Sequence, residues 1–274
     1  MPKRPRTMIV SLLVLAATAA SPASADGQVT WVVHGGGYGH GVGLSAYGAY
    51  GYGLHGYGYK QILHHYFRGI RITTLKSAPL VRVLLTINPG DVGFTGATSA
   101  CGLQLSPARS YRAHRNGSSV QLLSSSGKLL ARCGGRLHAD SRGELRISGV
   151  GVYRGALELV PTESEAGSLN VINALNVNNY VRGSVPAEVP PEWPMATLKT
   201  FAVAARSIAL STDVGGNGFA LYSDTRTQNY GGVAAESART DSAVRATDDE
   251  VVTYNGQVAQ TTYFSASGGR TESI

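Results

Sequence analysis

The sequence predicts an α+β fold built around one buried helix. Three observations predict it. Residues 194–212 are apolar on nearly every side, the pattern of a helix with protein all round it. Residues 77–160 break into short β-prone runs separated by Gly, Asn and Ser turns. Between 161 and 274 the elements come as strand, helix, helix and hairpin, an order that favours α+β over a doubly wound sheet.

In chain order, residues 1–25 read as a secretion signal. Lys3, Arg4 and Arg6 form a basic start, residues 8–17 are apolar, and Ala23-Ser24-Ala25 is a small-residue cleavage site. The apolar run is shorter than the roughly 20 residues that span a bilayer. The alternative is an uncleaved membrane anchor. Cleavage leaves 21 Lys and Arg against 17 Asp and Glu, a net +4 compared with +7 for the whole chain. That mild excess suits work among anionic polymers, and many ordinary soluble domains carry as much. No Lys/Arg cluster or nucleic-acid motif is present. In an exported chain, Cys101 and Cys133 predict a disulfide, the alternative being two free buried thiols.

Residues 26–76 are rich in glycine, and half of the 14 tyrosines fall between Tyr38 and Tyr66. A strand is expected at 29–33, with short helices at 44–55 and 60–67, the second closed by Gly69. Residues 77–160 read as a β-rich accessory module, with strands at 81–87, 120–123, 128–132, 144–147 and 156–160 and hairpin turns at Asn116-Gly117 and Ser126-Gly127. Residues 161–274 read as the core domain. It contains a strand at 169–174, the buried helix from Pro194, a helix at 234–246, and a hairpin of 251–254 with 258–264 around Asn255-Gly256.

The candidate catalyst is Glu188. Pro186, Pro190 and Pro191 suggest a stiff loop that holds its carboxylate at the mouth of the buried helix. A lone carboxylic acid of raised pKa placed there could act as an acid–base catalyst. The competing reading is a helix-start carboxylate that complements the dipole. That location would also lower its pKa, so burial must outweigh it. Glu192 has no role in this reading, because two prolines separate it from Glu188. The glycine run at 35–43 lacks the spacing of a nucleotide site, no H-E-x-x-H occurs, and the histidines have no ligand spacing, so neither metal nor nucleotide is implied.

YVRGSVPAEVPPEWP (180–194) followed by LKTFAVAARS (198–207) resembles the core motif of the stage II sporulation protein D family, SpoIID/LytB. QNYGG (228–232), TDSAVRATDDEVVTYNGQ (240–257), YFSASGGRTES (263–273) and, far upstream, GYGHGVGLSAYGAYG (37–51) resemble further family segments. The resemblance implies a cell-wall protein acting on peptidoglycan glycan strands. One implied role is a lytic transglycosylase with Glu188 as its single acid and base and the muramic acid's own C6 hydroxyl as the nucleophile. The other is a non-catalytic enhancer of a cell-wall amidase. No cofactor is implied. The family's zinc ligands have no counterpart in Ser223-Asp224-Thr225-Arg226-Thr227-Gln228.

The resemblance carries further roles onto matching residues. Tyr230, Gly231 and Gly232 would offer a ring, a hydroxyl and a close backbone approach to a sugar, or form a plain turn. Ser265, Ser267, Gly268, Gly269 and Thr271 would hold N-acetyl or hydroxyl groups, or form a polar turn. His40, among glycines, would contact the glycan or pack as a structural turn. Arg206 reads first as a buried charge needing a carboxylate, with Glu236 and Asp224 as candidates, and second as a substrate contact. Ala46 and Phe201 stand where the family commonly has glutamine. The family pattern usually continues beyond GGRTE and carries its glycine-rich motif near the end, so this sequence reads as truncated or rearranged.

Overall fold

Met195–Ser211 is a helix buried along almost its whole length, and the other elements are arranged around it. The computed structural model describes residue 32 and residues 34–272. The expected secretion signal lies outside them, as does the expected strand at 29–33 apart from Val32. The chain divides into two units, Met1–Gly35 and Gly36–Ile274, and everything below concerns the second. Its α-helices are α1 (Ala46–Leu54), α2 (Tyr59–Tyr66), α3 (Val177–Glu188), α4 (Met195–Ser211) and α5 (Ala238–Arg245). With several β-sheets beside them, the fold is α+β. No helix among the described residues is long and apolar enough to cross a membrane.

The spine of the largest sheet is the antiparallel pair Leu80–Pro89 and Ser168–Asn176. Ser168–Asn176 is buried on both faces: Leu169, Val171 and Leu175 enter the main core, while Ile172 packs with Leu84 and Val160 in a smaller cluster. Ala156–Pro161, Leu137–Asp140 and two short strands extend this sheet on one side, and Leu221–Tyr222 joins Leu80–Pro89 in parallel on the other. A second, six-stranded sheet carries the hairpins expected at Gly117 and Gly127, both of which have positive φ. Cys101 and Cys133 are joined in a disulfide with Cα atoms 5.2 Å apart.

Three expected elements come out differently. The segment around Pro186 is not a loop, because α3 runs through it to end at Glu188. Proline removes one donor from the last turn, but Asn176 caps the helix start at Asn179 N–H (2.8 Å), and Tyr180, Val181 and Val185 pin one face to the core. The helix expected at 234–246 is split into a 3₁₀ turn, Gly232–Ala235, and α5, whose start is capped by Ser237. The hairpin at Asn255-Gly256 forms, with both residues at positive φ, but its second strand is only Gln257–Val258. Tyr263–Phe264 instead leaves to pair in parallel with Leu44–Ser45.

That departure brings the two ends of the described region together. Gly37–Tyr38 pairs with Ala266–Ser267, Leu44–Ser45 with Tyr263–Phe264, and Val42 bridges to Glu272. The glycine-rich front segment thus lies beside the Ser-Gly-Gly stretch. Close approach demands the glycine at Gly43, where a side chain would meet Thr262 O at 2.2 Å.

Hydroxyl groups key α4 to its neighbours. Thr197 donates to Ala49 O of α1 (3.1 Å), Thr261 donates to Ala204 O (2.8 Å), and Ser207 accepts from Val252 N–H (2.8 Å). Arg206 is fully buried on this helix, and its partners correct the expectation of a carboxylate. Nε donates to Asn178 Oδ1 (2.7 Å) and Nη1 donates to Glu250 O (2.8 Å). Asn178 in turn donates to Asp249 Oδ1 (2.9 Å). Burial lowers the Arg206 pKa to about 10, against the pull of Asp248, Asp249 and Glu250 nearby. Neither expected carboxylate is its partner. Glu236 makes a paired contact with Arg154 (2.7 Å each) and a third with Arg182, which also pairs with Asp241. Asp224 pairs with its near neighbour Arg226.

α3 meets the 228–232 loop so closely that a methyl group on Gly183 would lie 2.7 Å from the Tyr230 ring and 3.0 Å from Gly232 O. Gly183→Ala should therefore destabilise by about 1–3 kcal/mol despite alanine's better helix propensity, as read by chemical denaturation. Replacing Cys101 and Cys133 with serine should cost about 3–4 kcal/mol, since the disulfide spans a sequence separation of 32; the same denaturation series measures it.

Candidate functional site

Glu188 is the last residue of α3, with its C-cap at Val189. A carboxylate there faces the negative end of a helix dipole, the reverse of the helix-start placement weighed from sequence. Its side chain is partly exposed, and Oε1 accepts a hydrogen bond from the backbone N–H of Asn229 at 2.7 Å. Burial raises the pKa of Glu188 above the ordinary carboxyl value, and the Asn229 contact offsets part of that rise. No Lys, Arg or His nitrogen among the described residues lies within ion-pair distance of it.

A chain of polar side chains surrounds this carboxylate. Tyr180, two turns earlier on α3, donates to Gln228 Oε1 (3.2 Å), and Gln228 Nε2 donates to the Tyr263 hydroxyl (2.8 Å). The negative charge of Glu188 is near enough to help raise both tyrosine pKa values, after burial as the larger cause. Both phenols therefore stay protonated at physiological pH. Tyr263 accepts from Gln228 and keeps its own proton for another acceptor. Ser184, one helical turn before Glu188, has a buried hydroxyl with no hydrogen-bond partner among the described residues. The site is thus an uncharged, hydrogen-bonding pocket around one carboxyl of raised pKa.

Tyr230 belongs to the core, not to the open site. It is buried, its hydroxyl donates to Asn173 Oδ1 (2.8 Å), and its ring packs 5.0 Å from Tyr180 and 5.9 Å from Tyr153. It has neither a free ring face nor a free hydroxyl for a sugar; what it does is hold the loop that presents Asn229 N–H. Gly231 N–H donates to Gly183 O (3.1 Å), which locks the same loop to α3, and Gly232 takes φ +60° against Tyr153.

His40 is committed at both ring nitrogens. Val42 N–H donates to Nδ1 (3.1 Å), so Nε2 carries the proton and donates to Tyr263 O (3.1 Å). The ring also packs 5.4 Å from Phe264. It thereby anchors the strand that presents Tyr263. Ser265 O accepts from Tyr47 N–H (3.0 Å) and Ser267 N–H donates to Ser45 Oγ (3.2 Å), while Gly268 and Gly269 beyond are exposed and Thr271 is half-buried. Phe201, where a glutamine was expected by resemblance, packs edge-on against the Tyr263 ring at 5.0 Å.

The site residues not assigned from sequence are Gln228, Asn229, Tyr180 and Tyr263. Gln228, Asn229 and Tyr263 stand in motifs already singled out, and the signal that might have found them was their polarity beside otherwise buried positions. Two cavities lie elsewhere. One, of about 690 Å³, is lined by Arg82, Arg136 and the 212–220 loop, and the other by Thr86, Asn170 and Tyr222; neither includes Glu188.

Comparison with known proteins bears on this geometry. Residues 165–254 match the family model SpoIID, described as stage II sporulation protein. An uncharacterized protein of Brachyspira hyodysenteriae is 34% identical over 124 residues, covering 44% of this chain and 33% of that one. The amidase enhancer of Bacillus subtilis is 35% identical over 92 residues, covering 34% of this chain and 12% of that one. The chain therefore spans a third or less of the length of these two relatives. No solved structure matches. The region that matches the SpoIID model holds α3, α4, the 228–232 loop and the strand after α5, which are the elements that place Glu188.

Proposed function

We propose that this protein is exported to the cell wall and cleaves MurNAc–GlcNAc glycan strands of peptidoglycan in the manner of a lytic transglycosylase, with Glu188 as the only acid and base. The observation that carries this reading is a carboxyl with no cationic partner, pushed toward its protonated form by burial, at the edge of a surface of neutral hydrogen-bonding groups. Protonated Glu188 delivers its proton to the bridging oxygen as the bond to the muramic C1 breaks. The carboxylate so formed then takes the proton of that sugar's C6 hydroxyl as O6 bonds to C1. A 1,6-anhydro end results, and Glu188 is protonated again. Asn229 N–H steadies the charged stage, while Tyr263, still carrying its proton, is placed to donate to a sugar oxygen. The Ser265–Ser267 edge, with Thr271, supplies polar contacts to the strand.

A second reading has a specific observation behind it: one relative is named an amidase enhancer. In that reading the same surface grips glycan and recruits or activates an amidase without cutting the strand.

Mass spectrometry of products from purified glycan stripped of stem peptides separates the two. The first reading expects 1,6-anhydro ends, and expects Glu188→Gln to lower their release by about 10²- to 10⁴-fold. A wild-type protein that yields none, yet stimulates a cell-wall amidase, would establish the second.

The pH dependence has a definite sign. The acid works only while protonated, so the rate should fall as pH rises through the raised Glu188 pKa, with the falling limb above the ordinary glutamate value of about 4.3. Stability follows the same linkage. A folded-state pKa above the unfolded one means full stability below the unfolded value, and loss as pH rises through the folded one. Glu188→Gln should accordingly melt higher than wild type at neutral pH. The gap should close as pH drops below the ordinary carboxyl range, a comparison that thermal melts across pH can make.

A further inference from the structure

Five positions after Glu188, Trp193 anchors an aromatic group that the proposed acid–base chemistry does not use. Tyr47, in the first turn of α1, is 59% exposed, while Trp193 behind it is only 8% exposed. Their rings meet edge-on at 5.3 Å, and Tyr50 packs 4.8 Å from Trp193 and 6.4 Å from Tyr47. An exposed phenol wedged against a buried indole is held in one orientation, so little freedom is lost when a ligand covers it.

We infer that Tyr47, backed by Trp193 and Tyr50, is a stacking platform for a pyranose ring of the glycan strand, flanking the bond at Glu188. The inference rests on the glycan-binding reading above and adds a subsite to it. Two independent connections tie the platform to the carboxylate. Trp193 follows Glu188 by about five positions, hence at most ~18 Å of chain, and the Pro190–Trp193 turn, closed by Trp193 N–H to Pro190 O at 3.2 Å, shortens that reach. From the other side, Tyr47 N–H is bonded to Ser265 O, two residues past the Tyr263 whose hydroxyl is hydrogen-bonded to Gln228.

Chemistry selects the occupant. A pyranose presents an apolar face of C–H groups ringed by hydroxyls, and Tyr47 presents an apolar ring with a hydroxyl at its tip. Arg239 donates to the Trp193 backbone oxygen (3.1 Å), and the exposed ring of Tyr47 is itself neutral. A flat neutral ring with a polar rim suits one sugar of a polymer that runs on toward Glu188.

The test uses the Glu188→Gln protein, so that strands are bound but not cut, and oligomers of denuded MurNAc–GlcNAc glycan. Carrying Trp31→Phe as well leaves Trp193 as the sole tryptophan reporter, because the chain has two. Titration calorimetry reads the affinity of every variant, and tryptophan fluorescence that of all but Tyr47→Trp, which adds a second reporter. Tyr47→Ala should weaken it by about five- to tenfold with an unchanged melting temperature, while Tyr47→Phe and Tyr47→Trp should stay within about twofold of the parent. A parent that binds glycan beside a Tyr47→Ala variant that binds equally well overturns the platform and leaves the glycan reading standing. A parent that binds no glycan overturns both. If Tyr47→Ala loses binding to a purified cell-wall amidase while keeping its glycan affinity, the patch is a protein-docking surface and the inference fails.

Discussion

The spacing between α3 and the 228–232 loop sets the geometry of the whole site. Gly183 lets the Tyr230 ring lie against the helix, Gly231 N–H bonds back to Gly183 O, and the Tyr230 hydroxyl reaches Asn173 in the main sheet. With those contacts made, Asn229 N–H falls on Glu188 Oε1 and Gln228 falls between Tyr180 and Tyr263. A carboxyl whose protonation depends on burial and a single donor is sensitive to that spacing, because small changes in either cause shift the balance between them. The family motif around Tyr-Gly-Gly can thus be understood as a packing requirement with a chemical consequence one residue away.

The same separation of duties appears on α4. Arg206 takes no part in an ion pair with a carboxylate side chain. It bonds to Asn178 and to the backbone of Glu250, and so fastens α3, α4 and the strand Glu250–Tyr254 to one another. A guanidinium offers several donors in a fixed fork, which suits a junction of three elements better than an apolar side chain would. Its burial is costly unless nearly every donor is used, and one nitrogen, Nη2, remains without a partner among the described residues.

Much of this was legible in the sequence. The all-round apolar pattern marks α4, positive-φ signals such as Asn255-Gly256 mark real turns, and Glu144–Ile147 falls where its alternation places it. What was not legible came from tertiary contacts overriding local signals. Pro186 argues for a loop, yet the burial of Tyr180, Val181 and Val185 keeps α3 helical through it. Tyr230 looks like a sugar-facing ring because it sits among glycines, and those glycines serve instead to let it into the core. Continuity from 258 to 264 suggests one long hairpin strand, whereas Tyr263–Phe264 has a better partner in Leu44–Ser45. The carboxylate itself could be picked from type and context. Its companions Gln228, Asn229 and Tyr263 converge on it from separate segments, and no local pattern reveals such convergence.

The pairing of the front segment with the last strands has a kinetic consequence. His40 and Tyr263, which touch through a ring nitrogen and a carbonyl, stand 223 positions apart. A chain emerging from its N-terminus exposes its tyrosine-rich stretch long before the strand that pairs with it exists. Contacts of such long range close late and slowly. The edge built by this pairing therefore forms only after both segments have been synthesised, so its completion marks a late step in folding.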